Sequence, residues 1–137
     1  GANGVGGQLS TWLGNTAGVD DSWCVVGDLT ALYDMSALSW LNQCGGERRV
    51  LVVINNSGGK IFQRLPRVRE LSEEVQSMVS NEHDWNFSHW AAMWGMDYVR
   101  YSSLDEMDIE PAENGVVVEL VPSESDTNAF WKQLNSI

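Results

Sequence analysis

The sequence predicts an α/β fold, a three-layer α/β/α arrangement around a mainly parallel sheet. Three observations carry this. Residues 23–26, 50–54 and 115–121 read as short buried strands, and the second is too uniformly apolar to face water on one side, as in parallel sheets. Between them, apolar residues recur at three- and four-residue spacing, the period of helices with one buried face. Strand-like and helix-like stretches alternate, which implies crossover connections and a sheet covered on both faces.

Each element has its own local reason. Residues 1–7 form a glycine-rich lead. Residues 8–19 read as a helix with Leu9, Trp12, Leu13 and Ala17 on one face, followed by a turn at Asp20-Asp21-Ser22 and the first strand. Residues 29–43 read as one helix on Leu32, Met35, Leu38 and Leu41, ended by Cys44-Gly45-Gly46. The second strand covers residues 49–54, and a loop runs on to Pro66. Residues 67–79 read as a helix burying Val68, Leu71, Val75 and Val79, with Glu70, Glu73 and Glu74 on its solvated side. After a polar stretch come a short aromatic helix (87–95), a strand (98–101), a short helix (103–107) and the last strand (115–121). Ser123 or Ser125 caps a final helix carrying Phe130, Trp131 and Leu134.

A chain of 137 residues suits a single domain, assigned to residues 1–137. Its net charge of -11, from 19 acidic and 8 basic residues, argues against nucleic acid or an anionic membrane as partner. An anionic ligand must therefore be held by local charge. Cys24 and Cys44 lack metal-ligand or CxxC spacing and read as reduced thiols of a cytoplasmic protein. Gly1 is not a native start, so the chain reads as a piece of something longer.

The chemistry concentrates where two apolar runs end. Gly27-Asp28-Leu29-Thr30 follows the first, and Asn55-Asn56-Ser57-Gly58-Gly59 follows the second. In an open parallel sheet, ligands bind just outside the carboxyl ends of the strands. The first amides of a helix lack partners there and favour an anion, and Thr30 could cap the helix or donate its hydroxyl. Asp28 would repel a phosphate unless a cation lay between them. Asp28, Asn56 and the Gly58 carbonyl supply three hard oxygens, and diphosphate oxygens and water would complete the octahedron of Mg²⁺. Blander readings stand beside this one: Asp28 as a simple helix cap, Asn55-Asn56-Ser57-Gly58 as a tight turn. His83 and His89 read as structural or surface residues, and Trp85, Trp90 and Trp94 as packing. A phosphate- and Mg²⁺-binding regulatory module is a further class, but it leaves Asn55-Asn56 unexplained.

These residues also carry a resemblance. A Gly-Asp at one strand end and Asn-Asn at the next, 28 positions from Asp28 to Asn56, resembles the thiamine diphosphate-binding pattern. Most of that superfamily has glycine where Leu29 stands. GDLTALYDMSAL, VVINNSGGKIFQRLP and FSHWAAMWGMDY, with the opening GANGVGGQLST, closely resemble the 2-succinyl-5-enolpyruvyl-6-hydroxy-3-cyclohexene-1-carboxylate synthases of menaquinone biosynthesis. The resemblance covers most of the chain from Gly1 to Val121.

The resemblance implies a thiamine diphosphate-binding (pyrophosphate-domain) fold and a C-terminal piece of a homo-oligomeric enzyme, a dimer or tetramer. That enzyme joins isochorismate to the succinic semialdehyde unit left when 2-oxoglutarate loses CO₂. It implies Asp28, Asn56 and the Gly58 carbonyl as ligands of Mg²⁺ or Mn²⁺, and Gly27, Leu29 and Thr30 against the diphosphate. Ile61, Phe62 and Leu65 would line the substrate pocket, Ile61 and Phe62 also touching the cofactor, with apolar walls that favour decarboxylation. Lys60 and Arg64 flank that pocket, Arg64 as a candidate for a substrate carboxylate. The glutamate that activates the cofactor belongs to a domain upstream, so this piece is expected to be inactive alone. Another thiamine diphosphate-dependent decarboxylase or carboligase is the nearest alternative.

Overall fold

The computed structural model describes residues 6–46, 48–61, 65–110, 114–134 and 136. Its centre is one four-stranded sheet in the order β1-β2-β4-β3, formed by β1 (Ser22–Gly27), β2 (Arg49–Ile54), β3 (Asp97–Tyr101) and β4 (Val116–Leu120). Every pairing is parallel. With helices flanking it, the sheet has the α/β/α character that the alternating pattern predicts. In register, Gly27 lies beside Ile54, Ile54 beside Leu120, and Leu120 beside Tyr101. All four carboxyl ends therefore form one row.

Side chains alternate across the sheet. Leu51, Val53 and Val117 enter the larger core with Leu9, Leu13, Ala31, Leu38 and Trp90. Val50, Val52, Val116 and Val118 face the other way, packed by Val99, Tyr101, Met107 and Ile109. Each fully buried Val or Leu contributes about 1.5–3 kcal/mol, which fixes the strand register tightly. On that second face, the edge strand β1 leaves Trp23 and Val25 exposed.

The helices are shorter than the periodicity predicts. α1 (Gln8–Asn15) buries Leu9, Trp12 and Leu13 but stops before Ala17, which is exposed ahead of Gly18 at φ 75°. The expected single helix over 29–43 is three pieces: α2 (Asp28–Tyr33), a 3₁₀ segment (Met35–Trp40) and α3 (Leu41–Cys44). Tertiary hydrogen bonds cause the break. The Asp34 carboxylate accepts from Ser10 N at 2.9 Å and from Ser10 Oγ at 3.0 Å. Trp90 Nε1 donates to the Met35 carbonyl at 2.9 Å, taking an acceptor from the ladder.

The expected helix over 67–79 is likewise split, into α4 (Pro66–Arg69) and α5 (Glu73–Ser80). Ser72 starts the second by accepting from Val75 N, an N-cap that periodicity overlooks. Leu71, Val75 and Val79 are exposed, so the apolar face expected there is not buried. α6 (Ser88–Met93) is the aromatic helix, and residues 104–106 form a 3₁₀ turn capped by Ser103. Ser123, not Ser125, caps α7 (Glu124–Leu134), accepting from Asp126 N at 3.0 Å. No helix among the described residues is long and apolar enough to cross a membrane.

Candidate functional site

Parallel pairing brings the exits of β1 and β2 side by side, and the two motifs meet there. Asp28 is the first residue of α2 and only 3% exposed. Its Oδ1 accepts from Leu29 N at 2.7 Å, and its Oδ2 accepts from Gly58 N at 2.8 Å. A buried carboxylate needs such donors, because an uncompensated one costs far more than a hydrogen bond returns. Gly27 precedes the helix in extended backbone without a side-chain cap, and Thr30 lies half-buried inside the first turn rather than capping it.

The Asn55–Gly59 turn is held from three sides. Asn55 is buried. Its Oδ1 accepts from Ser57 N at 3.1 Å, and its Nδ2 donates to Trp85 O at 2.8 Å and to Glu119 Oε1 at 2.7 Å. Gly58 has φ 121°, and a Cβ there would lie 2.7 Å from Ser80 O and 2.9 Å from Asn81 O. Glycine is required on both counts. The Gly58 carbonyl accepts from Lys60 N at 2.9 Å, leaving one lone pair for another partner. Asn56, half-buried, lines a cavity of about 300 Å³ together with Ser57, Lys60, Pro122, Thr127 and Asn128.

Two residues here escaped the sequence reading. His83, read as structural or surface, has a buried side chain with Nε2 3.2 Å from Asp28 Oδ2. Its Nδ1 accepts from Trp85 N at 3.3 Å, which puts the proton of the neutral ring on Nε2, and the ring stacks on Trp85 at 5.1 Å. The contact with Asp28 lacks hydrogen-bond geometry, so Nε2 is an orphaned buried nitrogen beside the carboxylate. Glu119, on β4, is 0% exposed. Its oxygens take Asn55 Nδ2, Phe87 N at 3.0 Å and the Tyr98 hydroxyl at 2.6 Å, with Arg100 Nε at 3.9 Å. Burial, and then the bond to Glu119, push the Tyr98 hydroxyl well above the ordinary phenol range. A charged residue in an apolar run gave the one available signal, since Glu119 interrupts Val116-Val117-Val118 and Leu120.

The chain aligns over nearly its whole length with curated synthases. It is 38% identical over 135 residues to the 2-succinyl-5-enolpyruvyl-6-hydroxy-3-cyclohexene-1-carboxylate synthase of Bdellovibrio bacteriovorus, covering 97% of this chain and 24% of that protein. It is 39% identical over 137 residues to the synthase of the same name from Akkermansia muciniphila, covering 98% and 26%. Over that span the chain is similar in sequence to these synthases. It spans about a quarter of the length of these relatives. No family model matches it.

The donor chemistry at the strand ends fits the cation and diphosphate implied by resemblance to the synthases. Among the described residues no three His, Cys, Asp or Glu side chains cluster, so a cation here would rely on amide and carbonyl oxygens beside one carboxylate. Asp28 and Gly58 are in direct contact and Asn56 sits two residues from Gly58, but the cavity that Asn56 lines includes neither Asp28 nor Gly58; the orphaned His83 Nε2 beside Asp28 is a donor suited to an anion rather than a cation. The outer pocket residues stand apart. Ile61 is 74% exposed and Leu65 49%, and neither lines the 300 Å³ cavity. Phe62 and Arg64 lie outside the described residues. His89 is exposed, and of the three tryptophans only Trp90 is fully packed in the core, Trp94 being half-buried and Trp85 exposed. Cys24 and Cys44 are free and half-buried, and burial raises the Cys24 thiol above its usual value.

Proposed function

We propose that this chain is the cofactor-anchoring, C-terminal domain of a thiamine diphosphate-dependent synthase of menaquinone biosynthesis. That enzyme decarboxylates 2-oxoglutarate and adds the resulting succinic semialdehyde unit to isochorismate. The observation that supports it most is the Gly58 N–Asp28 Oδ2 bond of 2.8 Å, which locks the two strand-exit motifs into one oxygen-rich corner.

In this reading Asp28, Asn56 and the Gly58 carbonyl hold Mg²⁺ or Mn²⁺, while Gly27, Leu29 and Thr30 meet the diphosphate. Thiamine diphosphate, when bound, supplies a nucleophilic carbon that takes up a 2-oxo acid and accepts the electrons left by departing CO₂. The chain's own contribution is placement. Leu29 N and Gly58 N hold both oxygens of Asp28, so the carboxylate is oriented before any cation arrives. Glu119 holds Asn55, and Asn55 holds the turn that presents Asn56 and Gly58. Ile61, Phe62 and Leu65 form an apolar wall toward the reacting end once the rest of the active site covers them. Activation of the cofactor falls to a glutamate outside this chain, and the full enzyme works as a homo-oligomer.

Paramagnetic Mn²⁺ tests the placement directly. Low stoichiometric Mn²⁺ should broaden the backbone NMR signals of Asp28, Asn56 and Gly58 first. Broadening confined to the acidic surface around Glu70, Glu73 and Glu74 would contradict the assignment. Supplied with cofactor, Mg²⁺, isochorismate and 2-oxoglutarate, the 137-residue chain should give no product above the uncatalysed rate.

A further inference from the structure

The opposite end of the sheet holds a second polar feature that the cofactor corner does not use. Arg49 opens β2 at its amino end, and it is only 5% exposed. Its Nη1 donates to the Gly46 carbonyl at a long 3.3 Å, while Nε and Nη2 are buried with no partner. Arg49 lines a cavity of about 200 Å³ with Leu41, Asn42, Arg48, Trp94 and Asn114. Trp94 Nε1 is also buried and unpartnered. So is the hydroxyl of Ser22, the register partner of Arg49 on β1. A buried guanidinium with two unused donors is costly, since each unsatisfied buried group loses its water without replacement. Among the described residues no carboxylate comes within 4.0 Å of Arg49, although the chain carries 19 acidic residues.

We infer that this cavity is a binding site for a small organic carboxylate with a short apolar tail. Nε and Nη2 lie on one edge of the guanidinium plane, the edge that takes both oxygens of a carboxylate in parallel hydrogen bonds. Trp94 Nε1 and the amides of Asn42 and Asn114 add further donors, while Arg48 at the exposed rim is already paired with Asp21 at 3.7 Å. Leu41 and the carbons of Trp94, both in the lining, offer apolar surface for the tail. Gly46, also in the lining, lets the backbone pass close to the guanidinium: a Cβ there would lie 2.3 Å from Val19 O and 3.2 Å from Arg49 Nη2. The site lies at the amino ends of the strands, so it acts separately from the cofactor corner at their carboxyl ends.

Sodium butyrate is a suitable probe, titrated into the 137-residue chain at constant ionic strength with tryptophan fluorescence and thermal unfolding as readouts. Butyrate should give a saturable fluorescence change and a saturable rise in Tm, while neutral butyramide and added chloride give neither. Arg49→Gln should abolish the response. Should that variant fail to fold, Asn42→Asp serves instead, since a carboxylate placed in the wall should weaken butyrate at least tenfold. No saturable response to butyrate, an undiminished response in either variant, or saturation by inorganic phosphate but not butyrate would each overturn the inference.

Discussion

Glu119 Oε1 accepts from Asn55 Nδ2 at 2.7 Å, joining a carboxylate in the middle strands of the sheet to the turn that carries the predicted cation ligands. The same Glu119 takes Phe87 N and the Tyr98 hydroxyl, so three separate segments converge on one buried charge. Glu119→Gln keeps the shape but replaces one acceptor oxygen by a donor. It should cost about 1–3 kcal/mol, because at least one buried N–H or O–H is then left facing another donor. Denaturant unfolding measures the cost. Affinity for Mn²⁺ should fall as well, through the displaced Asn55 turn, and an unchanged affinity would separate Glu119 from the site.

Gly58→Ala combines two faults, a Cβ 2.7 Å from Ser80 O and a side chain at φ 121°. A strained backbone position of this kind costs about 1–3 kcal/mol. The Ser80–Glu82 backbone must retreat, and with it His83 from Asp28. Thermal unfolding should report a lowered Tm, and NMR shifts should change at Asp28 as well as at residue 58. By contrast, Gly27→Ala meets nothing within 4 Å in a permitted conformation, so it should be close to neutral for stability.

Alkaline pH should unfold the domain through Tyr98. Its proton is held more tightly in the folded chain than the unfolded value of 10.0, because of burial and the Glu119 bond. The folded state then binds more protons than the unfolded state above that value, so stability falls as pH rises past about 10. Cys24, raised from 9.0 by burial, adds loss in the same direction from about pH 9. In Tyr98→Phe the part of the decline above pH 10 should be smaller, although neutral-pH stability also drops with the lost hydrogen bond. Unfolding measured between pH 7 and 11 checks the sign.

The strands and the meeting of Asp28 with Gly58 were readable in the sequence for a physical reason. Val50-Leu51-Val52-Val53-Ile54 is short, β-branched and uniformly apolar, which favours a buried strand, and β2 runs from Arg49 to Ile54 as expected. Asp28 and Gly58 follow adjacent parallel strands, so their meeting is a consequence of topology. What periodicity overlooked were side chains that compete with the helical backbone. Trp90 takes the Met35 carbonyl, Asp34 turns its carboxylate to Ser10 in α1, and Ser72 caps a fresh helix start, and each accompanies a split that apolar spacing alone does not show. His83 was illegible because its partner, Asp28, lies 55 positions away and the pairing depends on a loop's path over Gly58.

Calorimetric titration of thiamine diphosphate into the chain, with and without Mg²⁺, tests the anchoring role most directly. The account predicts weak binding that requires Mg²⁺ and disappears in Asp28→Ala, while Arg49→Gln leaves it intact. Binding that is equal without Mg²⁺, or that survives in Asp28→Ala, would contradict it.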